Sequence, residues 1–154
     1  MDRNVRIAKE LVRIAKSLVA GDDENEKALK DFNTKCFKEF IDKKLNANGT
    51  TVTGDYMDSI DINGKKVEVQ MNTFSKNNKA EFKYYVDVDG KSFDQVIEAD
   101  VSVPFKAQNT YEFEFDSDDN AKKFLNEYKD SITRSLGTAQ GIDKAFKKAV
   151  EALA

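Results

Sequence analysis

The feature that most constrains this chain is a change of hydrophobic period, from helical to alternating near residue 51 and back to helical near residue 116. Before the first change, Ala28, Leu29, Phe32, Cys36, Phe37, Phe40, Ile41 and Leu45 recur at three- and four-residue intervals, the spacing that puts side chains on one helix face. Asn46-Ala-Asn-Gly49 ends that run. After it, Tyr56, Asp58, Ile60 and Ile62 precede Asn63-Gly64, and Val67, Val69 and Met71 alternate with polar residues beyond it. Phe82, Tyr84, Val86 and Val88 alternate next, up to Asp89-Gly90. Asn-Gly and Asp-Gly between alternating segments are strong hairpin signals, because both residues of the turn accept positive φ. Val96, Val101, Val103 and Phe105 continue the pattern, with Pro104 marking an edge or a strand end, and Tyr111, Phe113 and Phe115 close it.

Helical spacing then returns. Asp116, Ser117 and Asp118 offer a cap and an acidic first turn ahead of Ala121, Phe124, Leu125, Tyr128 and Ile132. Gly137 and Gly141 frame a break, after which Ile142, Ala145, Phe146, Ala149, Val150 and Leu153 form a last amphipathic run. The order predicts an α+β fold: an antiparallel β-meander of about five strands packed with N-terminal and C-terminal helices. With 154 residues the chain can bury a core of its own. The division expected is a basic amphipathic helix over 1–21 followed by a single α+β domain over 22–154.

The N-terminal segment is a near repeat. Residues 6–12 and 13–19 differ only at Glu10 and Ser17. On a helical wheel Val5, Ile7, Ala8, Leu11, Val12, Ile14, Ala15, Leu18 and Val19 fill about half of the circle, and Arg3, Arg6, Lys9, Arg13 and Lys16 fill the other. Gly21 supplies a stop. Such a helix has three uses: packing its apolar half on the rest of the fold, docking or self-association, or lying on a membrane surface. The third is disfavoured, because the apolar half holds no Trp or Phe and Asp2 and Glu10 dilute the charge. For docking, the residues that carry the contact are Ile7, Leu11, Ile14 and Leu18 on the apolar side, with Arg6 and Arg13 flanking them.

The string Arg6–Ala20, Arg-Ile-Ala-Lys-Glu-Leu-Val-Arg-Ile-Ala-Lys-Ser-Leu-Val-Ala, resembles the N-terminal segments of assorted proteins encoded by tailed bacteriophages that are otherwise unlike one another. In large tailed phages, short helices of this kind act as targeting segments that load proteins into the immature head, and a protease often removes them. The resemblance implies a phage-encoded chain whose residues 1–20 are a modular tag for packaging or docking. It covers the leader only; the body resembles no family we recognise.

Composition narrows the chemistry. The chain has no histidine and one cysteine, Cys36, so the commonest general base and the Cys/His zinc sites are missing. Cys36 falls on an apolar helical stripe and reads as a small core residue. Asp87, Asp89, Gly90, Ser92 and Asp94 resemble part of a calcium loop, but Tyr85 and Val96 occupy the first and twelfth ligand positions, so a β-turn explains them. Asp116, Ser117, Asp118 and Asp119 are explained by a helix start. The aromatic set Phe82, Tyr84, Phe93, Phe105, Tyr111, Phe113 and Phe115 serves either core packing or an apolar cavity under a curled sheet. No Gly-rich phosphate loop or activated-serine motif occurs.

A net charge of −3 offers no general attraction for nucleic acid. Apolar runs are too short to span a bilayer, and the early basic residues interrupt any signal-peptide core. The expectation is therefore a non-enzymatic accessory or assembly protein without cofactor or metal, in the host cytoplasm or virion interior. It is neither secreted nor transmembrane on this reading. It would meet a protein partner, or itself as a homo-oligomer, through residues 3–20. The alternative is a small acidic chaperone-like module that binds a peptide or apolar small molecule on its sheet face.

Overall fold

The computed structural model describes residues 24–136 and 142–154. Helix α1 runs over residues 24–39 and widens into a π-turn, Phe40–Lys44, where the amide of Leu45 donates to the carbonyl of Phe40 at 2.8 Å. Eight strands follow: β1 (Asn46–Asn48), β2 (Thr51–Thr53), β3 (Asp55–Ile62), β4 (Lys65–Lys76), β5 (Lys79–Val88), β6 (Lys91–Glu98), β7 (Lys106–Asn109) and β8 (Glu112–Glu114). Helices α2 (Asp118–Leu136) and α3 (Asp143–Leu153) complete the order. The α+β class and the placing of helices before and after the strands agree with the sequence reading.

The strands form two antiparallel sheets rather than one meander. The larger has the order β3-β4-β5-β6, and the smaller β1-β2-β8-β7. All three links of the larger sheet are two-residue turns. Asn63-Gly64 (φ 54° and 76°) and Asp89-Gly90 (48° and 89°) are the two expected ones. Asn77-Asn78, with φ of 54° and 61°, is a third that the alternation did not suggest. Asn is the non-glycine residue best suited to the left-handed region, because its short polar side chain can bond locally.

The second sheet escaped the sequence reading because its strands are three or four residues long and pair across great separation. Thr51 pairs with Glu114, Val52 with Phe113 and Thr53 with Glu112. Chain from β2 enters β3 through Gly54, so one nearly continuous stretch serves both sheets. A Cβ at Gly54 would stand 2.9 Å from Leu45 Cα and 3.1 Å from Phe40 Cε1; only glycine admits this approach. Likewise Val101 and Val103, expected in a strand, lie in the irregular passage after β6. That passage is held by Glu127, whose carboxylate accepts from the Ser102 amide at 2.6 Å and from its hydroxyl at 2.8 Å.

One core joins the two sheets. Inward residues of the larger sheet (Val67, Val69, Met71, Phe82, Tyr84, Val86 and Val88) meet Leu29, Phe32, Cys36 and Phe40 from α1 and Ala145, Ala149 and Leu153 from α3. Under the smaller sheet, α2 brings Phe124 and Tyr128 against Phe105, Phe113 and Phe115, with ring centroids 4.8–5.8 Å apart. The aromatic set is thus divided. Phe82, Tyr84, Phe113 and Phe115 are buried, Phe105 packs on the core, Phe93 is half-buried, and Tyr111 is exposed beside Phe74. Each fully buried large apolar side chain stabilises by about 1.5–3 kcal/mol relative to exposure.

A candidate binding groove

The cavity that matters lies elsewhere, between α1 and α3. With about 3.6 residues per turn, Glu26, Lys30, Asn33, Thr34 and Phe37 fall on one stripe running the length of α1, next to the stripe that enters the core. Across from it stand Ile142, Asp143 and Phe146 of α3 and its approach, with Thr133 and Leu136 from the end of α2. Met71 of β4, buried in the core, also lines the cavity. These walls enclose an open groove of about 530 Å³, within the size range of natural ligand sites, roughly 300–1,000 Å³. Its apolar lining is Phe37, Met71, Leu136, Ile142 and Phe146; Glu26, Lys30 and Asp143 supply the charge. A second hollow of about 390 Å³, between the β4–β5 turn and the passage after β6, offers Ala80, Ala99, Val101 and Phe105 as its apolar lining.

The frame of the groove is fixed by hydrogen bonds at the far end of α3. The last carbonyls of a helix have no partner within it. Here Leu153 O accepts from Asn63 Nδ2 at 2.6 Å and from Asn25 Nδ2 at 3.3 Å. Lys65 Nζ donates to Ala152 O at 2.9 Å and to Ala154 O at 3.0 Å, placing a cation where the helix dipole is negative. At the other end, the Ala145 amide donates to Gln95 Oε1 of β6 at 3.0 Å. Asn63 therefore has two tasks: it makes the hairpin turn and caps α3.

One polar side chain in the groove wall is incompletely bonded. Asn33 is buried and its Oδ1 accepts from Tyr84 Oη at 2.9 Å, but its Nδ2 has no hydrogen-bond partner among the described residues. Burial pushes the Tyr84 hydroxyl well above the usual phenol range, and the bond to Asn33 opposes part of that rise. Sequence reasoning passed over Asn33; the available signal was a polar residue directly beside an apolar helical stripe, between Leu29 and Cys36.

The other candidates resolve into local structure. Asp87 spends its carboxylate on the Gly90 amide (2.9 Å) and the Ser92 hydroxyl (2.8 Å), while Asp89 accepts from the Lys66 amide at 2.8 Å. Asp94 pairs at 3.9 Å with Lys83. Ser117 Oγ accepts from the Asn120 amide at 3.2 Å as the cap of α2, and Asp116 accepts from Asn120 Nδ2 at 2.7 Å. Among the described residues, no three Cys, Asp or Glu side chains gather in the manner of a metal site. Cys36 is fully buried, and its thiol is pushed up to about 12, by burial first and by Asp58 second. No helix among the described residues is long and apolar enough to cross a membrane. The expected docking residues Arg6, Ile7, Leu11, Arg13, Ile14 and Leu18 lie outside the described residues. No protein-family model, curated protein or solved structure matches this chain.

Proposed function

We propose that this chain is a non-enzymatic accessory protein of assembly that works by helix docking. Residues 3–20 supply the docking helix, and the groove between α1 and α3 is a seat shaped for one. What supports this reading is the groove itself: an open hollow of about 530 Å³ lined by one stripe of α1, the start of α3 and the end of α2, with Phe37, Met71, Leu136, Ile142 and Phe146 as its apolar residues. Amphipathic helices dock in troughs of that kind through side chains at i, i+3, i+4 and i+7, the spacing of Ile7, Leu11, Ile14 and Leu18. The resemblance of residues 6–20 supports a phage-encoded chain acting in the host cytoplasm or virion interior. The outer face of the larger sheet supports a protein rather than a nucleic-acid partner. It carries Asp55, Asp61, Glu68, Glu81, Asp87, Asp94 and Glu98 against Lys66, Lys76, Lys79 and Lys83, an acidic excess that disfavours phosphate.

The test compares the full chain with a variant beginning at Asp22, checks folding by circular dichroism, and titrates the variant with a labelled peptide of residues 1–20. A folded variant should bind the peptide saturably, and Phe146→Lys in the groove should weaken binding at least about tenfold, or ~1.4 kcal/mol. An unfolded variant would mean that residues 1–21 belong to the core, ending the docking role. A folded variant blind to the peptide would remove the groove as a seat.

A second reading keeps the groove and changes its occupant to an unrelated peptide or an apolar small molecule. What favours it is Asn33, whose open amide suits a carbonyl on such a ligand. A titration of the full chain with an apolar fluorescent probe distinguishes the two: probe uptake without competition from the 1–20 peptide would support the small-molecule site.

A further inference from the structure

We propose that Asn63-Gly64 is a self-modifying site, at which loss of ammonia from Asn63 removes the cap of α3 and frees the end of the helix that walls the groove. The proposal goes beyond helix docking and does not rest on it.

The chemistry needs an asparagine followed by a residue whose backbone nitrogen can reach its side chain. Glycine, with no Cβ, hinders that approach least. The Gly64 nitrogen bonds to Asn63 Cγ, the Cγ–Nδ2 bond breaks, and Nδ2 leaves as ammonia with the proton shed by the Gly64 amide. Water then opens the cyclic imide at either of its carbonyls. One product is aspartate at position 63; the other is isoaspartate, in which the main chain runs through Cγ. Water is the one co-reactant, and the site is open to it. Asn63 and Gly64 are exposed, and a Cβ on Gly64 would meet nothing within 4 Å. The pairing of β3 with β4 ends at Ile62 and Lys65, which leaves the Gly64 amide outside the ladder.

Position decides what the reaction does. Asn63 Nδ2 donates to Leu153 O at 2.6 Å, satisfying a carbonyl that has no partner within its helix. A carboxylate in that place can only accept, so it sets oxygen against oxygen and puts negative charge at the negative end of the helix dipole. Lys65 Nζ bonds Ala152 O and Ala154 O at 2.9 and 3.0 Å, and turning to the new carboxylate would withdraw it from α3. The bond from Asn25 Nδ2 to Leu153 O, at 3.3 Å, is the weaker tie left at that end. The turn itself survives the aspartate product, because Asp89-Gly90 makes a turn of the same kind in the same sheet, with φ of 48° and 89°. Aspartate therefore removes the cap alone, whereas isoaspartate lengthens the main chain and removes the turn as well.

A second Asn-Gly pair supplies the comparison: Asn48 ends β1, in the other sheet, and Gly49 follows it. The full chain is held in mildly alkaline buffer and sampled by peptide mapping. Aspartate and isoaspartate should accumulate at position 63. Asparagine retained there throughout overturns the proposal, whether or not Asn48 converts. The chains modified at position 63, separated by anion exchange because each has gained a negative charge, are then compared with unmodified protein by amide exchange, alongside Asn63→Asp. Amides of residues 150–153 should exchange roughly tenfold or more faster in both, and at the unmodified rate in Asn48→Asp. Unchanged protection in the modified chains and in Asn63→Asp overturns the uncapping. Equal acceleration in Asn48→Asp would show general loosening instead of a lost cap, and overturns it too. Should Asn63→Asp fail to fold, the modified wild-type chains carry the comparison.

Discussion

Tyr84 Oη donates to Asn33 Oδ1 at 2.9 Å, a buried bond that ties the middle of β5 to the middle of α1. Tyr84 is fully buried, so its hydroxyl has no water to replace a lost partner. Asn33→Leu should cost about 1–3 kcal/mol, the penalty for an unsatisfied buried hydroxyl. Adding Tyr84→Phe removes the orphaned group, so the double variant should be more stable than the sum of the singles implies. Urea denaturation of the cycle checks this; strict additivity would mean the bond contributes nothing.

Gly54 and Gly64 are required for different reasons. At Gly54 space is lacking, since a Cβ would meet Leu45 Cα at 2.9 Å; at Gly64 nothing lies within 4 Å, but φ is +76°. Alanine should destabilise at both, by about 1–3 kcal/mol at Gly54 through overpacking and about 1–2 kcal/mol at Gly64 through the left-handed backbone. Asparagine separates the causes. Gly64→Asn should recover most of the loss seen with alanine, whereas Gly54→Asn should be worse than Gly54→Ala. Thermal melts of the four variants give the comparison.

The Cys36 thiol, pushed up to about 12 by burial and by the nearby Asp58, is a poor nucleophile in the native state. Native protein at pH 8 should react with an aromatic disulfide reagent only as fast as it opens. The reaction should become immediate in denaturant. Rapid labelling without unfolding would contradict the burial of this thiol.

Glu127 and Glu114 each contribute to the acid limb of stability. The Ser102 amide and hydroxyl hold the Glu127 carboxyl below the usual range, and the Thr50 and Thr51 hydroxyls do the same for Glu114. A folded-state value below the unfolded one means the contribution is full above the ordinary glutamate value of about 4.3 and fades as pH falls through the depressed folded values. Carboxyl NMR titration should find both groups below that ordinary value. Glu127→Gln should slightly flatten the loss of stability below the ordinary glutamate value, and a Glu127 titration at or above that value would show that the Ser102 contacts are not maintained in solution.

Long periodic segments were legible from residue types alone. β4 and β5 alternate cleanly, and the Asn63-Gly64 and Asp89-Gly90 turns are recognisable hairpin dipeptides. Helices α2 and α3 have apolar stripes of three and four, and α2 has Ser117 as its cap. The smaller sheet was hidden because Asn46–Asn48 and Lys106–Asn109 are polar and short, and their strand character comes from pairing rather than propensity. The groove was hidden for a related reason. Phe37, Met71, Leu136 and the pair Ile142 and Phe146 belong to four separate stretches, each of which reads as ordinary core, and only their convergence makes a cavity. Asn33 was the one residue of the site that departed from its local pattern.

The pairing of Thr51 with Glu114 has a consequence in time. The larger sheet is built from three hairpins whose strands are neighbours in sequence, and such hairpins close in about 1–10 μs. The smaller sheet must bring together chain ends more than sixty residues apart, and β2 reaches β8 only after the whole larger sheet has been laid down between them. Much of the entropy of that closure is removed in advance if the intervening hairpins are already compact, because the effective loop is then short. The topology therefore predicts an order of events: larger sheet first, small sheet second. Substitutions at Val52 or Phe113 should therefore speed unfolding while leaving the folding rate almost unchanged.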